Sequence, residues 1–211
     1  MDAGLKRALE AKVYAGERLT REDGVALFAS DDLAWLGRLA HHKRTEANGD
    51  RVTFGGETTG RAEMSYEPGD DPQQRVDHVL SLRERQDETG EFTAFAPLSP
   101  SGPADSLKTF AVSRLLFDNV PHVTCAWTVH GLSVSQLALN FGADDLAGPV
   151  TTEKPEDLVG PVAEKHDDLL HLIWDAGFRP VERDARYQVI REYEKASSLA
   201  ERRSEPQKIW A

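Results

Sequence analysis

Apolar residues recur at helical spacing in the first stretch of the chain, and in short runs or alternation after it. Leu5, Leu9 and Val13 stand four residues apart, which predicts a helix ending at Gly16. Thr20 followed by Asp23 makes a capping-box-like start, with Asp in place of the usual Glu, for the apolar run Val25-Ala-Leu-Phe28. Ser30 or Asp31 caps a third helical stretch that carries Leu33, Leu36, Leu39 and Ala40 on one side. Asn48-Gly49-Asp50 is a turn signal, and Arg51-Val-Thr-Phe54 begins a strand that stops abruptly at Gly55-Gly56.

Beyond this point strands and helices alternate. Ala62-Glu-Met-Ser-Tyr66 is a short candidate strand within a polar stretch from Glu57 to Asp71. Asp71-Pro72 opens a helix, because proline suits the first helical position, and Val76, Val79, Leu80 and Leu82 supply its packing. Phe92 to Leu98 reads as a buried strand, Leu107 to Leu116 as a helix, and His122 to Val129 as another buried strand. Leu137, Ala138, Leu139 and Phe141 end an apolar helix before Gly142. A short strand begins at Asp144 and Asp145 and is stopped by Gly148 and Pro149. A helix from Glu156 to Ala176, an extended piece from Pro180 to Asp184, and a final amphipathic helix from Tyr187 to Arg202 follow.

Strand, loop and helix thus repeat between residues 60 and 176, which argues for parallel β/α units. They are too few for a closed eight-stranded barrel of about 250 residues. The expected class is α/β: a partial (half) β/α barrel of three or four parallel strands, with an N-terminal helical segment and a C-terminal helix. Residues 1–54 form the helical appendage and first strand, 55–184 the partial barrel, and 185–211 the C-terminal helix and tail.

Charge and composition narrow the partners. The chain has 211 residues, with 36 acidic against 25 basic side chains and a formal charge of −11. That balance argues against binding nucleic acid or an anionic membrane, which needs clustered Lys and Arg. No apolar run approaches the roughly 20 residues of a membrane span, and no signal peptide is visible at the N-terminus. The single cysteine, Cys125, excludes an internal disulfide framework and most cysteine-based metal sites. A reducing cytoplasm is the expected location.

Four ordered motifs carry a resemblance. Arg75 to Gly90 followed by Phe92 to Leu98, Ala111 to His122, Gln136 to Gly148, and Gly177-Phe-Arg-Pro-Val-Glu-Arg-Asp184 resemble the aminofutalosine synthase group of radical S-adenosylmethionine enzymes. The likeness covers most of the chain. It implies an enzyme of the futalosine route to menaquinone, in which an adenosyl radical adds to 3-[(1-carboxyvinyl)oxy]benzoate. It also implies S-adenosylmethionine and a 4Fe-4S cluster as the family's cofactors, and an aryl carboxylate as substrate.

The departure from the family lies after the first strand. Members carry a Cys-x-x-x-Cys-x-x-Cys loop there, because three thiolates hold the cluster. Here Phe54 runs into Gly55-Gly-Glu-Thr-Thr59, with no cysteine nearby. The expectation is therefore a member that is internally shortened, with no cofactor and no metal bound by this chain and no catalytic residue assigned. The resemblance places His130, Asp144, Asp145 and Glu153 as substrate-side candidates. Against each stands a plainer role in a turn, cap or core. Trp127 and His122 are weaker candidates, and the His166, His171 pair lies off a common helical face. A half barrel with open parallel edges is a liability, so the expected partner is a second copy or a complete homologue. A non-catalytic scaffold and a decayed relic remain as alternatives.

Overall fold

The computed structural model describes residues 1–99, 101–151 and 164–197. Three helices lead the chain: α1 (Ala3–Tyr14), α2 (Arg21–Phe28) and α3 (Leu33–Asn48). The Thr20–Asp23 capping box forms at the start of α2, with both reciprocal bonds present. Strands β1 (Arg51–Gly55) and β2 (Arg61–Ser65) follow, then α4 (Pro72–Thr89), with Pro72 in its first turn and Gly90 left-handed at its end. Next come β3 (Ala94–Leu98), α5 (Pro103–Leu116), β4 (His122–Ala126), the single turn α6 (Trp127–His130), α7 (Leu132–Ala138) and β5 (Asp145–Ala147). The short parallel pair β6 (Val150–Thr151) and β7 (Glu164–Lys165) precedes α8 (His166–Asp175), β8 (Arg179–Arg183) and β9 (Val189–Glu192).

The main sheet has seven strands in the order β2-β3-β4-β5-β1-β8-β9. All its pairings are parallel except that of β8 with β9. The parallel run is longer than the three or four strands expected, because β1 and β8 join the same sheet. The partial β/α barrel is thus built from both ends of the chain.

In-register neighbours of a parallel sheet point to the same side, so the two faces can be read directly. Val52, Phe54, Ala62, Met64, Phe95, Val123, Cys125 and Leu146 face the helices and belong to the main apolar core. The other face carries Thr53, Thr124, Asp145 and Arg183 among small residues, Gly55, Ala94, Ala96, Ala126 and Ala147. Small side chains leave room for the buried polar groups that dominate this face.

Three predicted elements differ. The strand from His122 ends at Ala126, and Trp127 to His130 coil into α6. The helix expected from Glu156 begins at His166 within the described residues, and 152–163 lie outside them. The helix expected over 187–202 is absent from 187–197, where Val189–Glu192 forms β9. Its β-branched pair Val189-Ile190 is recruited by the antiparallel edge of β8, an example of tertiary pairing overriding local propensity.

Gly142 holds the turn before β5 at φ +102°, and a Cβ there would lie 2.6 Å from the Cβ of Arg114. Gly142→Ala is expected to lose about 1–3 kcal/mol, the scale of a strained backbone position. Chemical denaturation of the variant checks this directly.

Candidate functional site

The start of β5 places two adjacent carboxylates, and strand parity sends them in opposite directions. Asp144 and Asp145 are both buried, at 1% and 0% exposure. Each is matched by an arginine from another element.

Asp145 points onto the small-residue face. Arg183 of β8 grips it with two bonds, Nε to Oδ1 at 2.7 Å and Nη2 to Oδ2 at 2.8 Å. Thr53 of β1 and Thr124 of β4 each donate a hydroxyl, at 2.7 and 2.8 Å, and Tyr187 donates its phenol at 3.1 Å. Arg183 also donates to the Gly56 carbonyl at 3.0 Å, and a Cβ on Gly55 would come within 2.5 Å of the Arg183 carbonyl oxygen. Glycine at position 55 is what lets β8 approach β1. A buried carboxylate satisfied on every side in this way ties four segments of the sheet together.

Asp144 is held by Arg114 of α5, by the Val123 amide at 2.8 Å, and by His122 Nδ1 at 2.6 Å. An ionised carboxylate only accepts, so Nδ1 carries the proton toward it. Burial pushes the Asp144 carboxyl up, but Arg114, then His122 and the Val123 amide, outweigh it and hold the group below its ordinary value. A carboxyl depressed in the folded state contributes stability above its unfolded pKa, about 3.9. That contribution disappears as pH falls through the folded value. The denaturant midpoint is expected to hold steady from pH 7 to pH 5 and to drop below about pH 4. An Asp144→Asn variant, which has no such group to protonate, shows a shallower acid limb.

Tyr187 has φ +59°, the single left-handed non-glycine residue among those described. This conformation lays its ring flat against His122, with centroids 4.1 Å apart and planes 3° apart. Around them opens a pocket of about 300 Å³, lined by Asn48, Arg51, Thr53, His122, Asp144, Tyr187 and Val189. It sits at the N-terminal ends of β1, β4 and β5.

The sequence candidates are therefore divided. Asp144 and Asp145 lie at the beginning of β5, with their oxygens engaged by the protein, on the side opposite the face where β/α barrels place their chemistry. His130 lies past the far end of β4, its Nε2 3.0 Å from the Pro97 carbonyl and its ring against Phe110. Burial lowers its basicity, while the Pro97 carbonyl raises it by less. Four strand residues at about 3.3 Å each separate the two ends, so His130 and the carboxylates share no site. Trp127, also at the far end, packs on Gly148. Glu153 lies outside the described residues. His122 proves to be the histidine that meets Asp144, and Arg114, Arg183, Arg44 and Tyr187 were not among the site candidates read from the sequence.

Comparison with known proteins adds the lineage. A family model for the CofH/MqnC C-terminal region matches residues 98–196. The chain is 29% identical to the aminodeoxyfutalosine synthase of Thermus thermophilus, over 89% of its own length and 52% of that protein. The alignment with the aminodeoxyfutalosine synthase of Streptomyces coelicolor is 32% identical and takes in 99% of this chain and 100% of that protein. The chain belongs to the aminodeoxyfutalosine synthase family. Its 211 residues are spread over an alignment of 387, so it is internally shorter than that relative and spans about half the length of the Thermus protein. Among solved structures, the fold is similar to that of the FeFe-hydrogenase maturase HydG from Carboxydothermus hydrogenoformans. The TM-score is 0.64 at 9% identity, over 86% of this chain and 80% of that one.

The cluster that the family resemblance implies does not fit the residues present. Cys125 is the chain's single thiol, fully buried in β4 beside Ser135 Oγ at 3.3 Å. Burial pushes it up to about 12, against a smaller opposite effect of Ser135. A four-iron cluster needs several accessible thiolates. No group of three or more His, Cys, Asp or Glu is placed to hold a metal ion among the described residues. No helix among them is long and apolar enough to cross a membrane.

Proposed function

We propose that this protein keeps the N-terminal helices and the C-terminal strands of an aminodeoxyfutalosine synthase barrel but does not itself generate the adenosyl radical of the futalosine route. The observation that carries this reading is the end of β1. Gly55-Gly56 follows there with no thiol, and the chain's one cysteine is sealed in β4. The position of β8 supports it. In a barrel the strand that follows β1 in sequence would neighbour β1, and here β8 occupies that edge in parallel register from Arg51↔Arg179 to Phe54↔Glu182.

Anaerobic reconstitution with iron and sulfide tests the reading. The expected product holds no stoichiometric iron and shows no visible charge-transfer absorbance. A four-iron cluster bound to the chain would overturn it. Calorimetry with 3-[(1-carboxyvinyl)oxy]benzoate asks separately whether the far ends of the strands, with Trp127 and His130, keep affinity for an aryl carboxylate. Heat that saturates with a defined stoichiometry would favour retained recognition, and a flat titration favours a scaffold.

A second copy or a complete homologue remains the proposed macromolecular partner. It would dock at β2 or β9, since β8 already covers β1. The strand β9 favours the role: Val189 and Ile190 are 50% and 61% exposed. Arg61, beside Glu57 and Glu63, gives β2 the charged character that discourages edge pairing. Light scattering of the pure protein is expected to give a dimer mass that Ile190→Lys reduces to that of a monomer. A monomer at every concentration would remove the self-association arm.

A further inference from the structure

The pocket at the strand starts combines charge, a prepared histidine and a strained residue. Behind its lining residues, bonded to the Arg51 carbonyl and to Asp144, lies an excess of buried cations. Arg44, Arg114 and Arg183 are almost fully buried, whereas the buried carboxylates beside them are Asp144 and Asp145. Two of the arginines are paired with those carboxylates. Arg44 has no acidic partner in contact. It donates to the Gly49 carbonyl at 2.5 Å, to the Arg51 carbonyl and to the Ala143 carbonyl, and its guanidinium lies 4.0 Å from the Phe178 ring centre. Burial pushes Arg44 down to about 10, with Asp144 acting in the opposite direction. That still leaves it charged at neutral pH. Arg44 is thus a buried cation without a contacting carboxylate, attracted by Asp144 and Asp50 only at longer range.

Among the described residues on the pocket surface, Arg51 is the cation and Asp144, paired with Arg114, is the carboxylate. Arg51 reaches it from β1 and is tied on its other side to the exposed Glu192 at 2.8 Å. Asn48 brings an amide from the end of α3, which otherwise makes a long 3.4 Å bond to the Pro121 carbonyl. His122 is oriented twice, by Asp144 at Nδ1 and by the stacked Tyr187 ring, and its Nε2 has no hydrogen-bond partner among the described residues. Tyr187 holds a costly left-handed backbone to make that stack, and such strain concentrates where a ligand is gripped.

We propose that this pocket is a binding site for a small oxyanion, a phosphate or carboxylate group, received by Arg51, Asn48 and the doubly protonated ring of His122 through Nε2–H, with Tyr187 and Val189 as its apolar side. Asp144 also lines the pocket, but it is 1% exposed, bonded to His122 and paired with Arg114, so it is not a free charge toward the anion. Glu192 competes for Arg51. This gives the site a signed signature: removing that carboxylate strengthens anion binding, and removing Arg51 weakens it. The inference stands apart from the cluster question, because the pocket lies at the opposite end of the strands from Gly55-Gly56.

The test is a nuclear magnetic resonance titration of the full chain, following the His122 ring signal, assigned with His122→Gln. Inorganic phosphate is added in one arm and benzoate in the other, with chloride holding the ionic strength constant. A saturable shift in the phosphate arm assigns a phosphate site, and one in the benzoate arm a carboxylate site. Arg51→Ala is expected to raise the Kd about tenfold, the loss of one charge-assisted contact worth about 1.4 kcal/mol. Glu192→Gln is expected to lower it several-fold. Both side chains are partly exposed, and circular dichroism melts confirm that the variants fold. Shifts that stay linear in both arms, or a Kd that neither variant moves, would overturn the proposal.

Discussion

Asp145→Ala is expected to cost about 3–5 kcal/mol, the scale for breaking a fully buried ion pair. The reason is what the substitution leaves behind. Arg183, with an exposure of 2%, loses both carboxylate oxygens and keeps bonds only to backbone carbonyls at Gly56 and Asp184. Thr53, Thr124 and Tyr187 lose an acceptor in the same step. With a urea slope of about 2 kcal/mol per molar, the midpoint falls by roughly 1.5–2.5 M. Total stabilities of roughly 5–15 kcal/mol mean that the variant can be unfolded at room temperature. An apolar pair, Asp145→Leu with Arg183→Met, removes both charges together and is expected to recover most of the loss. A midpoint for Asp145→Ala within about 0.3 M of the parent would show that the ion pair does not hold β8 to the sheet.

Truncation after Gly177 is the second large effect. It removes β8 and β9, and with them the Arg183 grip, buried Val181, and Phe178 beneath Arg44. The β1 edge would then present unpaired amides and carbonyls, and Asp145 would be a buried carboxylate without a cation. Exposed strand edges template aggregation, so the shortened chain is expected to lose its cooperative melt and scatter light at micromolar concentration. Recovery of a soluble protein with parental circular dichroism would contradict the role given to β8. The partial barrel would then be stable without its C-terminal strand.

Much of the architecture could be read from local signals with a definite mechanism. The Thr20–Asp23 box, Pro72 at a helix start and the glycine end at 90 each mark one element, and each marks it in the structure, whereas the helix expected to reach Gly142 ends at Ala138. The buried strand at Phe95 was equally plain, because its apolar run has no amphipathic alternative. What could not be read was long-range pairing. Nothing local in Arg179–Arg183 says that it lies beside β1, more than a hundred residues earlier, and Val189–Glu192 follows it into strand form only because β8 offers an edge.

The site was less legible for a related reason. Arg114 and Arg183 look in sequence like ordinary solvated charges. Two weak signals pointed the other way: Arg114 interrupts the apolar run around Leu115, Leu116 and Phe117, and Arg183 shares strand parity with Val181. Asp144 and Asp145 were noticed, but a strand's first residues lie at the opposite rim from its last ones. Only the completed sheet shows that they meet His122 and Arg183 there and not His130. Family membership identifies what the strands descend from, while the buried partners show which side chains hold these two carboxylates.

The central proposal is that this member of the aminodeoxyfutalosine synthase family does not itself generate a radical. The most direct measurement incubates the full protein, after anaerobic iron and sulfide treatment, with S-adenosylmethionine and a low-potential reductant, and assays 5′-deoxyadenosine by chromatography. The account predicts no more 5′-deoxyadenosine than in a protein-free control, with or without the benzoate substrate. Several turnovers per chain, stimulated by that substrate, would contradict it.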